Sequence, residues 1–269
     1  MNIQRPGSCL LILGLFFFCS TTVAQSSKSY PKGEWYFSWG YNTEWYTRSD
    51  VHINQPGLGN HYTFNHIKGH DRRGWDHGIL TKGISIPQYN YRLGYFFNPA
   101  KGWGVEINFD HTKFIFKDGQ YASVTGKLNG KTVDTTVRFS KEDGFYYYLN
   151  NGANFLLFNL VKRYELISSK DGKLKLDFLG KAGIGPVIPH VENSFFGDAN
   201  KPHFQLGGWN MGVEATIKAS FFKYAFLEYA NKLDYARYSN LKIYEGKARH
   251  AFGTYEMILN IGINLPVGK

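Results

Sequence analysis

Histidine and acidic residues are concentrated in one segment, HYTFNHIKGHDRRGWDHG, which covers residues 61–78. His66 and His70 are four residues apart, so on a helix the two imidazoles would share a face, and with Asp71 next in sequence they could ligate a metal ion. Gly69 interrupts the spacing and disfavours a helix. We therefore predict neither a metal site nor a cofactor here, but an exposed loop patch that contains His66, His70, Asp71, Arg72, Arg73 and His77.

A second group of ionisable residues lies in segments that alternate between polar and apolar side chains. Paired carboxylates in such a group could act as general acid and base or pass protons. The alternative is a structural network of ion pairs, because both signs of charge are present. The group consists of Arg92, Glu106, Asp110, Lys175, Asp177, Lys181, Glu214, Lys218, Glu228, Lys232 and Glu256.

The alternation is clearest in residues 86–110, IPQYNYRLGYFFNPAKGWGVEINFD. Successive side chains of a strand point to opposite faces, so this pattern predicts a hairpin with one aromatic and one polar face. The residues at its centre, Asn98 to Gly102, have the composition of a turn. The polar face would carry Arg92, Glu106 and Asp110.

About eight strands follow from the same pattern along the chain. Connections are long after the first, third, fifth and seventh strands and short after the second, fourth and sixth. The long ones are predicted as a polar loop from Thr47 to Ile86, a projecting hairpin around Asn129-Gly130, and loops over 186–205 and 234–248. The register of the strand near 145–163 stays open because several asparagines obscure its faces, and we expect a bulge there.

The first 24 residues have the features of a cleaved secretory signal: a basic Arg5, an apolar run from Leu10 to Phe18, and small residues before Gln25. Residues 25–32 are a short polar lead-in, and 33–269 are predicted to form a single barrel domain. Both cysteines, Cys9 and Cys19, lie in the signal. The exported chain therefore lacks disulfides, thiolate metal sites and cysteine nucleophiles.

An exported, aromatic-rich chain with alternating strands fits either a transmembrane β-barrel or a soluble β-sandwich. The regular alternation of long and short connections favours the barrel. With its alternating strands and the motifs IPQYNYRLGYFFN and FDHTKF, the chain resembles the small eight-stranded outer-membrane barrels of Gram-negative bacteria, the group with OmpA-type transmembrane domains, and looks most like barrels of the Bacteroidota. The resemblance implies an all-β, antiparallel, up-and-down transmembrane barrel with long extracellular loops and short periplasmic turns.

If the aromatic face meets lipid, the polar face fills a lumen only just wide enough for its own side chains. Buried charges are costly unless paired, so we expect the lumen charges to form a salt-bridge network that plugs the barrel. The role would be structural or one of surface interaction. The alternatives are a lipid A hydrolase-like enzyme, although the His-x-Ser element of that class is absent, since Ala251 and Phe252 follow His250, and a narrow channel for small solutes.

The formal net charge is +10, and without the signal 30 basic and 21 acidic residues remain. Because the chain is predicted to be exported, we predict no nucleic-acid partner. We expect basic loop residues to pair with phosphates of outer-membrane lipid and lipopolysaccharide, and other envelope proteins are further candidate partners of what we predict to be a monomer. The loop residues concerned are Arg72, Arg73, Lys82, Lys117, Lys131 and Lys141.

Overall fold

The computed structural model describes residues 30–73 and 88–268, so the predicted signal, His77 and Lys82 lie outside the described residues. The described chain forms seventeen β-strands and one 3₁₀ turn, Pro56–Leu58. The strands are β1 Gly33–Tyr46, β2 Ser49–Gln55, β3 Asn60–Ile67, β4 Gly69–His70, β5 Tyr89–Asn98, β6 Trp103–Asp110, β7 Phe114–Phe116, β8 Tyr121–Leu128, β9 Lys131–Arg138, β10 Tyr146–Leu149, β11 Phe155–Ser168, β12 Leu174–Val187, β13 Glu192–Phe195, β14 Asp198–Ala199, β15 Gly208–Phe221, β16 Ala225–Ile243 and β17 Gly246–Val267. Within the described ranges, no helix is long and apolar enough to span a membrane.

Eight of these strands form a closed barrel. Their order is β1-β5-β6-β11-β12-β15-β16-β17, and β1 pairs along its whole length with the C-terminal part of β17, from Gly33 opposite Val267 to Tyr46 opposite Thr254. Every pairing is antiparallel, and neighbours in the wall follow one another along the chain. The predicted up-and-down antiparallel barrel of eight strands is confirmed.

The two ends of the barrel differ as predicted, with one exception. Short turns join the strands at what we call the turn end, and long segments follow β1, β6 and β12 at the opposite, cap end. After the seventh wall strand, however, the predicted loop 234–248 is wrong. β16 continues to Ile243, and β17 begins at Gly246, so the two strands form a hairpin that extends past the barrel.

The two faces of the wall separate apolar from charged side chains. Leu93, Val105 and Ile107 point outward and are 46–48% exposed. The adjacent residues Arg92 and Glu106 point inward and are only 1% and 2% exposed. The outer surface is therefore an apolar and aromatic band, and the lumen holds the polar side chains. On β17 this band runs from Leu265 to Tyr255 at alternate positions, which at about 3.3 Å per residue and a strand tilt near 40° gives a height of about 25 Å.

The long connections fold into a second body, which we call the cap. One part extends the barrel sheet from the N-terminal end of β17, at the cap end of the barrel, through β2, β3, β8 and β9. The other part is a separate sheet in the order β14-β13-β10-β7-β4. The predicted hairpin at Asn129-Gly130 is present as β8 and β9, with both turn residues at positive φ. The prediction of a polar loop over Thr47 to Ile86 is wrong for its described part, which contains β2, β3 and β4.

The cap closes over the mouth of the barrel around an aromatic core. On β17 the inner positions run from Asn260 and Glu256 in the lumen directly to Phe252 and Ala248 in the cap core. Phe252 stacks on Phe114 of β7 with ring centroids 4.3 Å apart. The predicted fourth wall strand near 145–163 is in fact two strands, β10 in the cap and β11 in the wall, and the wall bulge lies between Glu165 and Ile167.

Tyr36 fills the lumen near the turn end because its cross-strand neighbour is Gly94. A Cβ at Gly94 would lie 2.1 Å from Cζ of Tyr36. The ring cannot move aside, since its hydroxyl donates to Glu106 at 2.8 Å and it packs between Phe96 and Phe226. Glycine at position 94 is therefore required by packing.

We expect Gly94→Ala to lower the free energy of unfolding by about 1–3 kcal/mol, as overpacked interiors do. Unfolding in urea, followed by tryptophan fluorescence, measures the change. Gly180→Ala is the matched control, because a Cβ there meets only Phe178 at 3.9 Å. Equal effects of the two substitutions would contradict the packing argument.

Candidate functional site

The centre of the lumen holds two cations and two carboxylates, Arg92, Lys181, Glu106 and Glu214, which we call the central ion cluster. Arg92 Nη1 lies 2.6 Å from Glu214 and 3.7 Å from Glu106, and Lys181 Nζ lies 2.7 Å from Glu106 and 3.2 Å from Glu214. Tyr36 and Thr216 add hydroxyl hydrogen bonds to the two carboxylates. Four wall strands, β5, β6, β12 and β15, thus meet across the lumen.

Nearer the cap, Lys232 is the centre of a second group, the cap-side ion cluster. Its Nζ lies 2.5 Å from Asp110, 3.6 Å from Glu256 and 3.7 Å from Asp234. The sequence pattern predicts Asp234 at the start of a loop. It lies instead on β16 and faces inward, two residues beyond Lys232, and continuation of the two-residue period would have found it.

Towards the turn end the charges are spread more widely. Lys218, fully buried, donates to Asn264 at 2.8 Å and lies 3.6 Å from the ring centroid of Phe226. Asp177 and Glu228 are buried on the same inner surface, and Ser38 donates to Glu228 at 3.4 Å. Lys175 differs from the other predicted lumen residues: its side chain is 39% exposed and pairs with Glu165 at 4.0 Å, because it lies next to the turn after β11.

Two acidic residues outside the predicted lumen set join the barrel to the cap. Glu44, on the inner face of β1, lies opposite Glu256, and the amide of Asn42 donates to both carboxylates. Asp71, predicted as part of an exposed patch, is in fact packed against the mouth of the barrel. Its carboxylate accepts hydrogen bonds from the hydroxyl of Thr43 at 3.0 Å and the amide of Glu44 at 2.9 Å.

The remaining residues of the predicted loop patch do not converge. His66 has a positive φ on β3 and lies 3.7 Å from Asp50, while His70 on β4 contacts the carbonyl of Asp71. Arg73 lies 3.8 Å from Asp71 and over Trp45, and the carbonyl of Arg72 accepts a hydrogen bond from Lys113. Strand geometry replaces the helical spacing that would have brought His66 and His70 together.

Asp110 and His111 point to opposite sides, as adjacent residues at the end of a strand should. Asp110 enters the lumen, whereas His111 stacks on Tyr89 and its Nδ1 lies 2.8 Å from the side-chain oxygen of Asn154. They form no acid and histidine pair with each other.

The cap core contains one fully surrounded imidazole, that of His250. It stacks on Tyr238, and its Nε2 lies 3.2 Å from the hydroxyl of Tyr147. Ser49 lies 3.4 Å from Nδ1, but its hydroxyl donates to the carbonyl of Ala251 at 2.8 Å. Ser49 is buried and its proton is already bonded, so this contact is not the arrangement of an activated nucleophile.

Removal of one partner from the central ion cluster should be costly. Arg92→Met leaves Glu214 and Glu106 without one of their two cationic partners in a buried position, and we expect a loss of about 3–5 kcal/mol in the free energy of unfolding. Urea unfolding measures it.

Arg138→Gln is the control for that experiment, because the Arg138 and Asp143 side chains are 53% and 71% exposed at a separation of 3.9 Å. Such a surface pair contributes less than about 1 kcal/mol. If Arg92→Met were as mild as this control, the central ion cluster would not be a strong contributor to stability.

The cap should lose stability in acid because of His250. Burial, and secondarily the nearby His52, lowers the pKa of His250 from 6.5 to about 3. Below pH 6.5 the unfolded chain takes up a proton that the buried imidazole does not, so stability falls as the pH drops from 6.5 towards 3, by at most about 1.4 kcal/mol per pH unit.

His250→Phe should flatten this part of the pH dependence, measured by near-ultraviolet circular dichroism and limited proteolysis of the cap. His61→Phe, an exposed site on β3, should leave it unchanged. An identical pH profile for wild type and His250→Phe would contradict the assignment.

Comparison with known proteins gives matches among solved structures only, since no family profile and no curated protein matches the chain. The chain is similar to Ail, the attachment invasion locus protein of Yersinia pestis, crystallised with the heparin analogue sucrose octasulfate. The two are 15% identical with a TM-score of 0.32, over 87% of this chain and 99% of Ail. It is also similar to the outer membrane protein OprG from Pseudomonas aeruginosa, with 12% identity and a TM-score of 0.37 over 88% and 97% of the two chains. Neisserial surface protein A, NspA, is 9% identical with a TM-score of 0.33 over 89% and 99%.

Proposed function

We propose that this chain is a non-enzymatic outer-membrane barrel that does not conduct and that acts through its cap at the cell surface. The observation that carries the proposal is the pairing of an apolar outer band with a lumen full of buried charge. A water-soluble β protein hides its apolar face and exposes its charges, which is the reverse arrangement. A wall that faces lipid requires this reversal.

The lumen supports a plug and not a pore. The central ion cluster spans the barrel with side chains that are 1–7% exposed, and Tyr36 occupies the lumen on its turn side. An eight-stranded barrel leaves little room beyond its own side chains. Solute passage would require opening ion pairs that are buried on all sides.

The cap is the part of the molecule that would meet external partners. We place the turn end in the periplasm and the cap outside the cell, because bacterial barrels have short periplasmic turns and long extracellular loops. The cap has its own aromatic core, including Phe64, Phe116 and Phe139, and therefore presents a folded surface instead of separate flexible loops. Its partners would be lipopolysaccharide or envelope and surface molecules, and the barrel would be a monomer.

We test this proposal with gel mobility and epitope access. The full chain in detergent should run as a compact band unheated and shift on boiling. An epitope tag inserted at Tyr244–Glu245, the tip of the β16 and β17 hairpin, should bind antibody on intact cells. The same tag at Lys170–Gly172, in a turn at the opposite end, should bind antibody only after the outer membrane is permeabilised.

The wild-type protein in a planar bilayer should give no steady conductance steps. A water-soluble protein without a mobility shift would overturn the membrane assignment. A tag at the turn end that is reached on intact cells would reverse the orientation, and regular conductance steps would favour the channel instead.

A further inference from the structure

The outer surface of the wall carries a basic groove directly above the apolar band. The groove has a volume of about 490 Å³ and is lined by Arg48, Asp50, His52, Tyr235, Arg237, Tyr238, Arg249, His250 and Ala251. The three arginines are exposed and come from three parts of the chain: the link between β1 and β2, the upper part of β16, and the upper part of β17. Distant segments of sequence thus build one concave site.

Strand register fixes the height of this groove. Arg237 is on β16 two residues beyond the outward-facing Tyr235, and it lies opposite Ala251. Arg249 follows on the same face of β17 as Ala251 and lies opposite His52 of β2. Tyr235 contacts Trp209 in the aromatic belt at the cap end of the band. The arginines therefore begin where the apolar band ends, which is the level of lipid headgroups in a membrane.

The groove keeps a net positive charge, because its lining contains three arginines and a single carboxylate, Asp50. Arg48, Arg237 and Arg249 have no ion pair among the described residues. Asp50 forms no ion pair with the three arginines: it accepts a hydrogen bond from the amide of His66 at 2.7 Å, and the imidazole of His66 lies 3.7 Å from it. A second groove of about 240 Å³, which contains Lys247, continues the basic surface upward.

From this geometry we propose that the Arg48, Arg237 and Arg249 groove is a binding site for the phosphate group of a phosphorylated glycolipid in the outer leaflet. Arginine presents a planar fork of donors that suits phosphate oxygens. The apolar band directly below, with Leu233 and Tyr255 on its surface, offers a wall for the acyl chains. The site thus matches an amphiphile whose anionic head lies directly above its chains. This inference rests on the proposed membrane orientation.

This assignment differs from the one based on sequence alone. The loop residues named there for lipid phosphates are separated in the structure: Lys117, Lys131 and Lys141 lie on the cap, and Arg72 and Arg73 lie at the barrel mouth. None of the five lines the groove.

The test uses the full chain in non-ionic detergent and lipid A with two phosphates as the probe, with bound lipid counted by native mass spectrometry. The variant Arg48→Gln/Arg237→Gln/Arg249→Gln should bind the lipid at least tenfold more weakly than wild type. The control Lys68→Gln/Lys127→Gln/Lys201→Gln removes the same charge from exposed cap residues and should bind as wild type does. Lipid A stripped of phosphate should bind wild type at least tenfold more weakly.

Equal binding by the arginine variant, equal loss in the cap control, or undiminished binding of the dephosphorylated lipid would each overturn the proposal. Glucosamine phosphate distinguishes the source of the phosphate: if it displaces lipid A at similar concentration, the groove holds a soluble phosphate and the lipid assignment fails. The heat-dependent gel shift is recorded for every variant. A wild type without a shift refutes the membrane barrel itself, whereas a failed groove leaves that shift intact.

Discussion

Closure of the wall by β1 and β17 is the constraint on which the other features depend. It pairs the backbone of every wall strand on both sides and leaves the barrel no open edge. It also forces eight inner faces into one narrow space. Arg92 and Glu214 are 122 residues apart in sequence. They lie 2.6 Å apart in the structure because the lumen is too narrow to keep inward-facing side chains of different strands separate.

The cap follows from the same alternation carried beyond the apolar band. Inner positions of β17 change from Glu256, which meets Lys232, to Phe252, which stacks on Phe114, so the interior changes from ionic to aromatic as the wall leaves the apolar band. Outer positions change in the opposite sense, from Leu259 and Tyr255 to Arg249. One strand therefore contributes to the lumen, the cap core, the apolar outer band and the basic groove.

Much of the barrel could be predicted from the sequence because its strands repeat every two residues. The outer position of Leu93 and the inner positions of Arg92 and Glu106 required only that period. The cap strands also alternate, as Val51 and Ile53 show, but they are short and broken by residues at positive φ such as His66, so the segment resembled a polar loop.

The partners of each charge could not be predicted in the same way. That Lys232 meets Asp110, or that Glu44 lies opposite Glu256, depends on register between strands far apart in sequence, and one sequence contains no direct record of it. The prediction that Asp71 is exposed is wrong for a related reason. Its hydrogen bonds with Thr43 and Glu44 depend on how the cap folds back over the mouth of the barrel, which the local sequence does not indicate.

The long hairpin of β16 and β17 has a consequence for the order of assembly. β17 is the pairing partner of β1 in the wall and of β2 in the cap, and β16 contributes Tyr238 and Leu241 to the cap core. Neither the barrel wall nor the cap can be completed before the last two strands are present. Most contacts in the described chain are long-range, and a high proportion of long-range contacts slows folding. A chain that ends before residue 225 has neither a closed wall nor a complete cap, so its unpaired strand edges are open to pairing with other chains.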